Sequence, residues 1–201
     1  MPVRESLFRG SREKGREICG FDDKKPVILV IGGSQGSHTL NKIIRRNLNE
    51  LLKNFHLCHL CGRGAIDSSL DKIKGYKQFE YANEEMPHLY ALADMVVSRA
   101  GATTLFEILS LKKPNLLIPL SRSASRGDQI LNAASFEKQG FSKVLQEENL
   151  DDDTFIEAVR EVYGYRNRYI SAMERSGIVN GVDAVIRVIR EQAEQRAKTG
   201  A

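Results

Sequence analysis

The chain contains no tryptophan, and aromatic residues make up only 7% of its 201 positions. Its basic residues are not interleaved with aromatics, so the stacking platform that single-stranded nucleic acids use is missing. Nucleic acid is therefore not an expected partner. No apolar run approaches the ~18 residues of a membrane-crossing helix, and the N-terminus carries no signal-peptide pattern. The expected compartment is the cytoplasm. Cysteine is scarce as well, with three in all, two of them in Cys58-His59-Leu60-Cys61. A zinc site would need a second ligand pair at suitable spacing, and none is evident. An odd count in a cytosolic fold argues against disulfides. Around the pair, Phe55, Leu57 and His59 alternate with His56, Cys58 and Leu60, the period of a strand. These read as buried strand cysteines.

Charge is nearly balanced, with 30 Lys and Arg against 26 Asp and Glu, a net +4. Basic residues gather at Arg9, Arg12, Lys14 and Arg16 and again at Arg45-Arg46. Such groups suit an anionic leaflet or ligand, but solvated helix faces explain both. With 41% apolar residues, the length fits one ordinary α/β domain with a sizeable core.

Three segments carry chemistry. In the first, the apolar run Met95-Val96-Val97 leads through Ser98-Arg99-Ala100-Gly101 into Ala102-Thr103-Thr104-Leu105-Phe106-Glu107. Leu105, Ile108, Leu109 and Leu111 continue with helical spacing. A small-residue turn from strand to helix leaves backbone N–H groups free at a positive helix end, which suits an anion. Glu107 falls one to two turns later, where a carboxylate accepts hydrogen bonds from a vicinal diol such as ribose. Phosphate at the turn and sugar at the acid together describe a nucleotide. A capped turn with a solvated Glu is the plainer alternative.

In the second segment the β-branched run Pro26–Ile31 ends in Gly32-Gly33-Ser34-Gln35-Gly36-Ser37. Glycines here let backbone approach a ligand closely, and the Ser34 hydroxyl adds a donor. No Lys-Ser/Thr follows, so this is not a P-loop, and the spacing is not G-x-G-x-x-G. The third segment, Ser125-Arg126-Gly127-Asp128-Gln129-Ile130-Leu131-Asn132-Ala133, follows the apolar run Asn115–Pro119. Asp128 reads as a helix N-cap. The Gln129 amide can both donate to and accept from a sugar hydroxyl.

Periodicity predicts strands near 27–31, 55–60, 77–80, 95–98, 115–118 and 142–145. It predicts helices over 39–53, 66–73, 86–92, 104–111, 128–139, 153–163, 166–175 and 181–196. Repeated βα units imply an α/β fold, a doubly wound, Rossmann-like parallel sheet with its ligand outside the carboxyl ends of the strands. All three segments sit at those ends. The polar tail 192–201 is expected to fray.

Together these residues resemble the donor-binding half of the MurG family, one half of a GT-B glycosyltransferase. That family moves N-acetylglucosamine from UDP-N-acetylglucosamine onto a lipid-linked muramoyl-pentapeptide in bacterial peptidoglycan synthesis. Pro2-Val3-Arg4 resembles the family's interdomain linker, so the resemblance implies a linker over residues 1–12 and a donor domain over 13–197. The acceptor half is not in this sequence. By the same resemblance, Arg4 and Ser34 contact the nucleotide-sugar, with Gly33 and Gln35 in the same loop. Backbone near Asn83 reads uracil, although the family usually has an apolar residue there. The turn Ala102, Thr103, Thr104, Leu105 and Phe106 holds the phosphates through its N–H groups. Glu107 holds the ribose, and Gln129 reads the sugar hydroxyls. Asp128 stands where many members carry His.

The implied reaction is an inverting displacement at the anomeric carbon. Helix N-termini and Arg4 stabilise the departing diphosphate without metal or other cofactor. Arg99 could assist, and reads equally well as an ion-paired structural residue. The base would come from the acceptor half, since His38, His56, His59 and His88 read as structural or exposed. The family works at the inner face of the cell membrane, with the lipid acceptor reached through its other half. Two other readings share these features. One is the catalytic subunit of a two-chain dolichol-linked N-acetylglucosaminyltransferase, and the other a nucleotide-sugar-binding module without catalysis.

Overall fold

The computed structural model describes residues 3–33, 35–121 and 127–177. Ser34, the expected helix over 181–196, and Ser125-Arg126 lie outside the described residues. Six parallel strands form one sheet: β1 (Val27–Ile31), β2 (His56–Leu60), β3 (Tyr76–Phe79), β4 (Met95–Ser98), β5 (Asn115–Leu117) and β6 (Lys143–Val144). Their spatial order is β3-β2-β1-β4-β5-β6. The chain therefore reverses its direction of travel across the sheet between β1 and β4, where a doubly wound sheet opens its ligand crevice.

β1 is buried at all five positions because both faces of a central parallel strand are covered. Ile28 and Val30 meet one helical layer, and Val27, Leu29 and Ile31 meet the other. The first layer comprises α2 (His38–Arg46), α3 (Leu48–Leu52), α7 (Asp152–Gly164) and α8 (Arg166–Arg175). It contributes Leu40, Ile44, Leu51, Phe155, Val159 and Met173 to that core. The second layer holds α4 (Met86–Leu92) with α1 (Arg12–Cys19) and the 3-10 turn Glu5–Arg9 packed on it, adding Leu7, Cys19, Leu89 and Tyr90. α5 (Ala102–Ser110) serves both, with Leu105 and Leu109 facing the first core and Ile108 the second. α6 (Asp128–Lys138) follows β5 and sends Ala133 and Phe136 inward.

The expected strands match the observed ones to within one or two residues at their ends, and several helices differ. The expected helix over 39–53 breaks at Asn47, whose Nδ2 donates to Ile43 O and to Asp152 Oδ1, tying the break to α7. The expected helix over 66–73 is only a single 3-10 turn at Ser68–Leu70. There the Asp67 carboxylate accepts from the Ser69 N–H and hydroxyl, a local bond that competes with helix propagation. Conversely, α1 was not expected from its charged sequence. Ser11 caps it by accepting from the Lys14 N–H, and Gly15 permits close approach to α4, since a Cβ there would lie 2.5 Å from His88 O. Asp128 is not the cap of α6. Gly127, at φ 89, takes the N-cap position, and Asp128 is the first helical residue.

Cys58 on β2 and Cys61 just after it are buried, as expected, and Cys58 Sγ lies 3.0 Å from Cys19 Sγ. Burial pushes the Cys58 thiol well above its ordinary value.

Candidate functional site

The carboxyl ends of β1 and β4 open into two adjoining cavities that share Gly33, Gly101 and Thr104. One, of about 430 Å³, is lined by Arg4, Leu60, Tyr81, Met86, Ala102, Thr103 and Glu107 among others. The other, of about 450 Å³, is lined by Gln35, Ser37, His38, Arg99, Gln129 and Glu147 among others. The three segments singled out by sequence therefore meet in one crevice.

Two helices begin at its floor. α5 starts on Gly101 in an extended conformation with no side-chain cap, and its first intrahelical bond runs from the Leu105 N–H to Gly101 O. The N–H groups of Ala102, Thr103 and Thr104 are thus left for a ligand at the positive end of the helix. Leu105 is buried in the core, and Phe106 packs against both layers, so these two position the turn. α2 is capped by Ser37, whose hydroxyl accepts from the Leu40 N–H. Before it, Gly36 sits at φ 75, and a Cβ there would lie 2.1 Å from Cys61 O. Only glycine lets this loop fold down between β1 and β2.

Glu107 is buried, at 5% exposure, and so is not the solvated helix-surface acid of the plainer reading. Its Oε2 accepts from the Tyr90 hydroxyl at 3.0 Å, and its Oε1 lies 3.5 Å from the Arg4 guanidinium. Burial, and then the Glu107 charge, push the Tyr90 phenol well above its ordinary value, so it stays a neutral donor. Gln129 lines the second cavity. Its Oε1 accepts from the Ala100 and Leu120 N–H groups, which pins the side chain and leaves the amide NH2 as its group for a ligand. Asn83 is exposed, with its N–H donating to Glu85 Oε2 and its carbonyl accepting from the Met86 N–H. Gln35 is exposed on the loop.

Arg99 takes the structural alternative. It is buried, and its guanidinium donates to Ser37 Oγ, Ile118 O, Pro119 O and Glu147 Oε1. Glu147 also accepts from the Ser121 N–H. Burial pushes the Glu147 carboxyl up, but its hydrogen bonds, led by Arg99, outweigh that and hold it below its ordinary value. One fork therefore ties together the α2 cap, the chain leaving β5 and the turn after β6.

Tyr90 and Glu147 carry no local sequence signal. Tyr90 reads as one apolar position of α4, and Glu147 as one acid in a run. Among the described residues no group of three or more His, Cys, Asp or Glu is placed to hold a metal ion, and no helix is long and apolar enough to cross a membrane.

An open, doubly wound parallel sheet with this crevice is the architecture of one half of a GT-B glycosyltransferase. The chain matches the glycosyltransferase family 28 C-terminal domain over residues 27–189 and belongs to that family. It is 52% identical over 190 residues to a Clostridium tetani protein named UDP-N-acetylglucosamine--N-acetylmuramyl-(pentapeptide) pyrophosphoryl-undecaprenol N-acetylglucosamine transferase. That match covers 94% of this chain and 53% of the relative. The chain thus spans about half the length of the curated relatives it matches. Among solved structures, the MurG of Acinetobacter baumannii superposes with a TM-score of 0.63 at 24% identity, over 86% of this chain and 51% of that one. The calicheamicin glycosyltransferase CalG4 gives a TM-score of 0.66 at 18% identity, over 89% and 45%. At these identities the structures speak for the fold.

Proposed function

We propose that this chain is the donor-binding domain of an inverting glycosyltransferase. The enzyme would move N-acetylglucosamine from UDP-N-acetylglucosamine to a lipid-linked muramoyl-pentapeptide at the inner face of the cell membrane. The observation that carries the reading is the order of groups along the crevice. An uncapped helix N-terminus lies between a buried carboxylate, Glu107, and a pinned amide, Gln129. That order matches ribose, diphosphate and sugar in sequence. The name borne by the Clostridium tetani relative supplies the particular donor and acceptor.

In this reading the ribose diol donates to Glu107. The diphosphate lies over Ala102, Thr103 and Thr104, with the backbone of Gly33 and Gly36 on its other side. Gln129 donates to a hydroxyl of the transferred sugar. As the glycosidic bond breaks, negative charge grows on the diphosphate, and fixed N–H dipoles stabilise it without reorganisation. Arg4 adds an exposed positive charge from the segment before α1. The acceptor, its base and the lipid surface belong to the other half of the enzyme.

Calorimetry tests the charge assignment. UDP and UDP-N-acetylglucosamine are expected to bind the purified chain equally well in EDTA and in Mg²⁺. Binding seen only with Mg²⁺ or Mn²⁺ would mean that a metal, not the helix ends and Arg4, neutralises the diphosphate. Glu107→Gln keeps the volume of the buried side chain and removes its charge. It is expected to weaken UDP binding by about 1.5–3 kcal/mol, the range for hydrogen bonds to a charged group. Unchanged UDP affinity in a folded variant would remove Glu107 from the ribose site.

A further inference from the structure

We infer that Tyr90 is a positioning residue for nucleotide recognition, its buried hydroxyl holding the Glu107 carboxylate in the orientation that receives a ribose diol. The inference rests on the proposed donor site and concerns what makes that site selective. Among the described residues the Glu107 carboxylate has two hydrogen-bonding neighbours, and they differ in kind. Arg4 is 57% exposed at its side chain and 3.5 Å away, so water screens and competes with that contact. Tyr90 is fully buried among Leu89, Leu92 and the strands beneath α4, and its hydroxyl reaches Oε2 at 3.0 Å. Its ring cannot turn away without breaking the packing of that layer.

A carboxylate oxygen accepts more than one hydrogen bond. Tyr90 therefore occupies one acceptor position on Oε2 and the Arg4 guanidinium stands 3.5 Å from Oε1, which leaves further acceptor positions on a carboxylate that lines the cavity. A cis-diol has two donors at a fixed separation, and a carboxylate locked in plane meets both. A carboxylate free to rotate would meet one at a time. The Tyr90 hydroxyl also supplies a donor to a carboxylate that is largely withdrawn from water, where an unpaired charge would be costly. The class of ligand this arrangement selects is a ribonucleotide over its 2′,3′-dideoxy counterpart.

The test is calorimetry of the purified chain and its Tyr90→Phe variant with UDP and with 2′,3′-dideoxy-UDP. Wild type is expected to prefer UDP. In Tyr90→Phe, UDP affinity is expected to fall about tenfold while dideoxy-UDP affinity holds, so the preference shrinks by that factor. A structural role would lower both affinities together, and that outcome, or no change in either, overturns the inference. A wild-type chain that does not discriminate between the ligands instead overturns the ribose role of Glu107. Fluorinated tyrosines at position 90 keep the ring and hydroxyl while strengthening the donor, and so cover a Phe variant that fails to fold. The UDP preference must then shift with fluorination, and a constant preference also overturns the inference.

Discussion

Replacing Arg99 with leucine is expected to destabilise the domain by about 3–5 kcal/mol, the loss seen when one partner of a buried ion pair is removed. Four acceptors lose their donor at once: Ser37 Oγ, Ile118 O, Pro119 O and Glu147 Oε1. Glu147, at 16% side-chain exposure, is left largely out of water without its counter-charge. Its pairing holds it below the ordinary value, so this contribution is present at neutral pH and fades as pH falls through that lowered value. Urea unfolding at pH 7 measures the loss, and Arg99→Lys, which keeps the charge without the fork, should fall between. A loss under about 1 kcal/mol would place Arg99 with ordinary surface substitutions and reopen its role as a ligand contact. The fork joins the α2 cap to the turn after β6, so the variant should also lose the shape of the cavity that Gln129 lines.

Arg99 also marks where the sequence stops being legible. The turn at Gly101–Thr104 could be read in one dimension, because small residues after an apolar strand leave N–H groups free wherever the next helix points. The parallel sheet was legible for a similar reason, since short β-branched runs alternating with helical spacing leave few other arrangements. Whether Arg99 faces ligand or protein depends on Glu147, Ile118 and Pro119, which come from two later strand ends. Glu107 was read as an acid one to two turns into the helix, and it lies on α5. Its partners are Tyr90, on the helix that precedes β4, and Arg4 near the start of the chain. Long-range partners leave no local trace. α1 was missed for the opposite reason, because charges and Gly15 mask a helix whose stability comes from packing on α4 rather than from propensity.

On its own the purified 201-residue chain is expected to bind donor and to transfer no sugar to a muramoyl lipid acceptor. Holding an acceptor oxygen in line with the anomeric carbon is worth about 7–11 kcal/mol of barrier, and a base must stand within hydrogen-bond reach of that oxygen. The four histidines do not supply one. His59 is buried between Asn41 and Tyr76, and burial together with Arg45 holds it down at about 3. His56 stacks on Phe21 and bonds Asp23, and His88 accepts from the Ser11 N–H. His38 is exposed on the crevice, but it sits at the first turn of α2 beside the glycine loop, where the diphosphate is proposed to lie. An inverting displacement needs its base on the opposite face of the sugar from the leaving group. Glu107 and Glu147 are engaged with Tyr90 and Arg99. A radiolabelled transfer assay with lipid acceptor should therefore give no product above background. Adding the acceptor half as a separate polypeptide should restore slow turnover, limited by the lost effective concentration of a tether. Product formed in proportion to the chain alone, and lost in His38→Gln, would overturn this division of labour and make His38 the base.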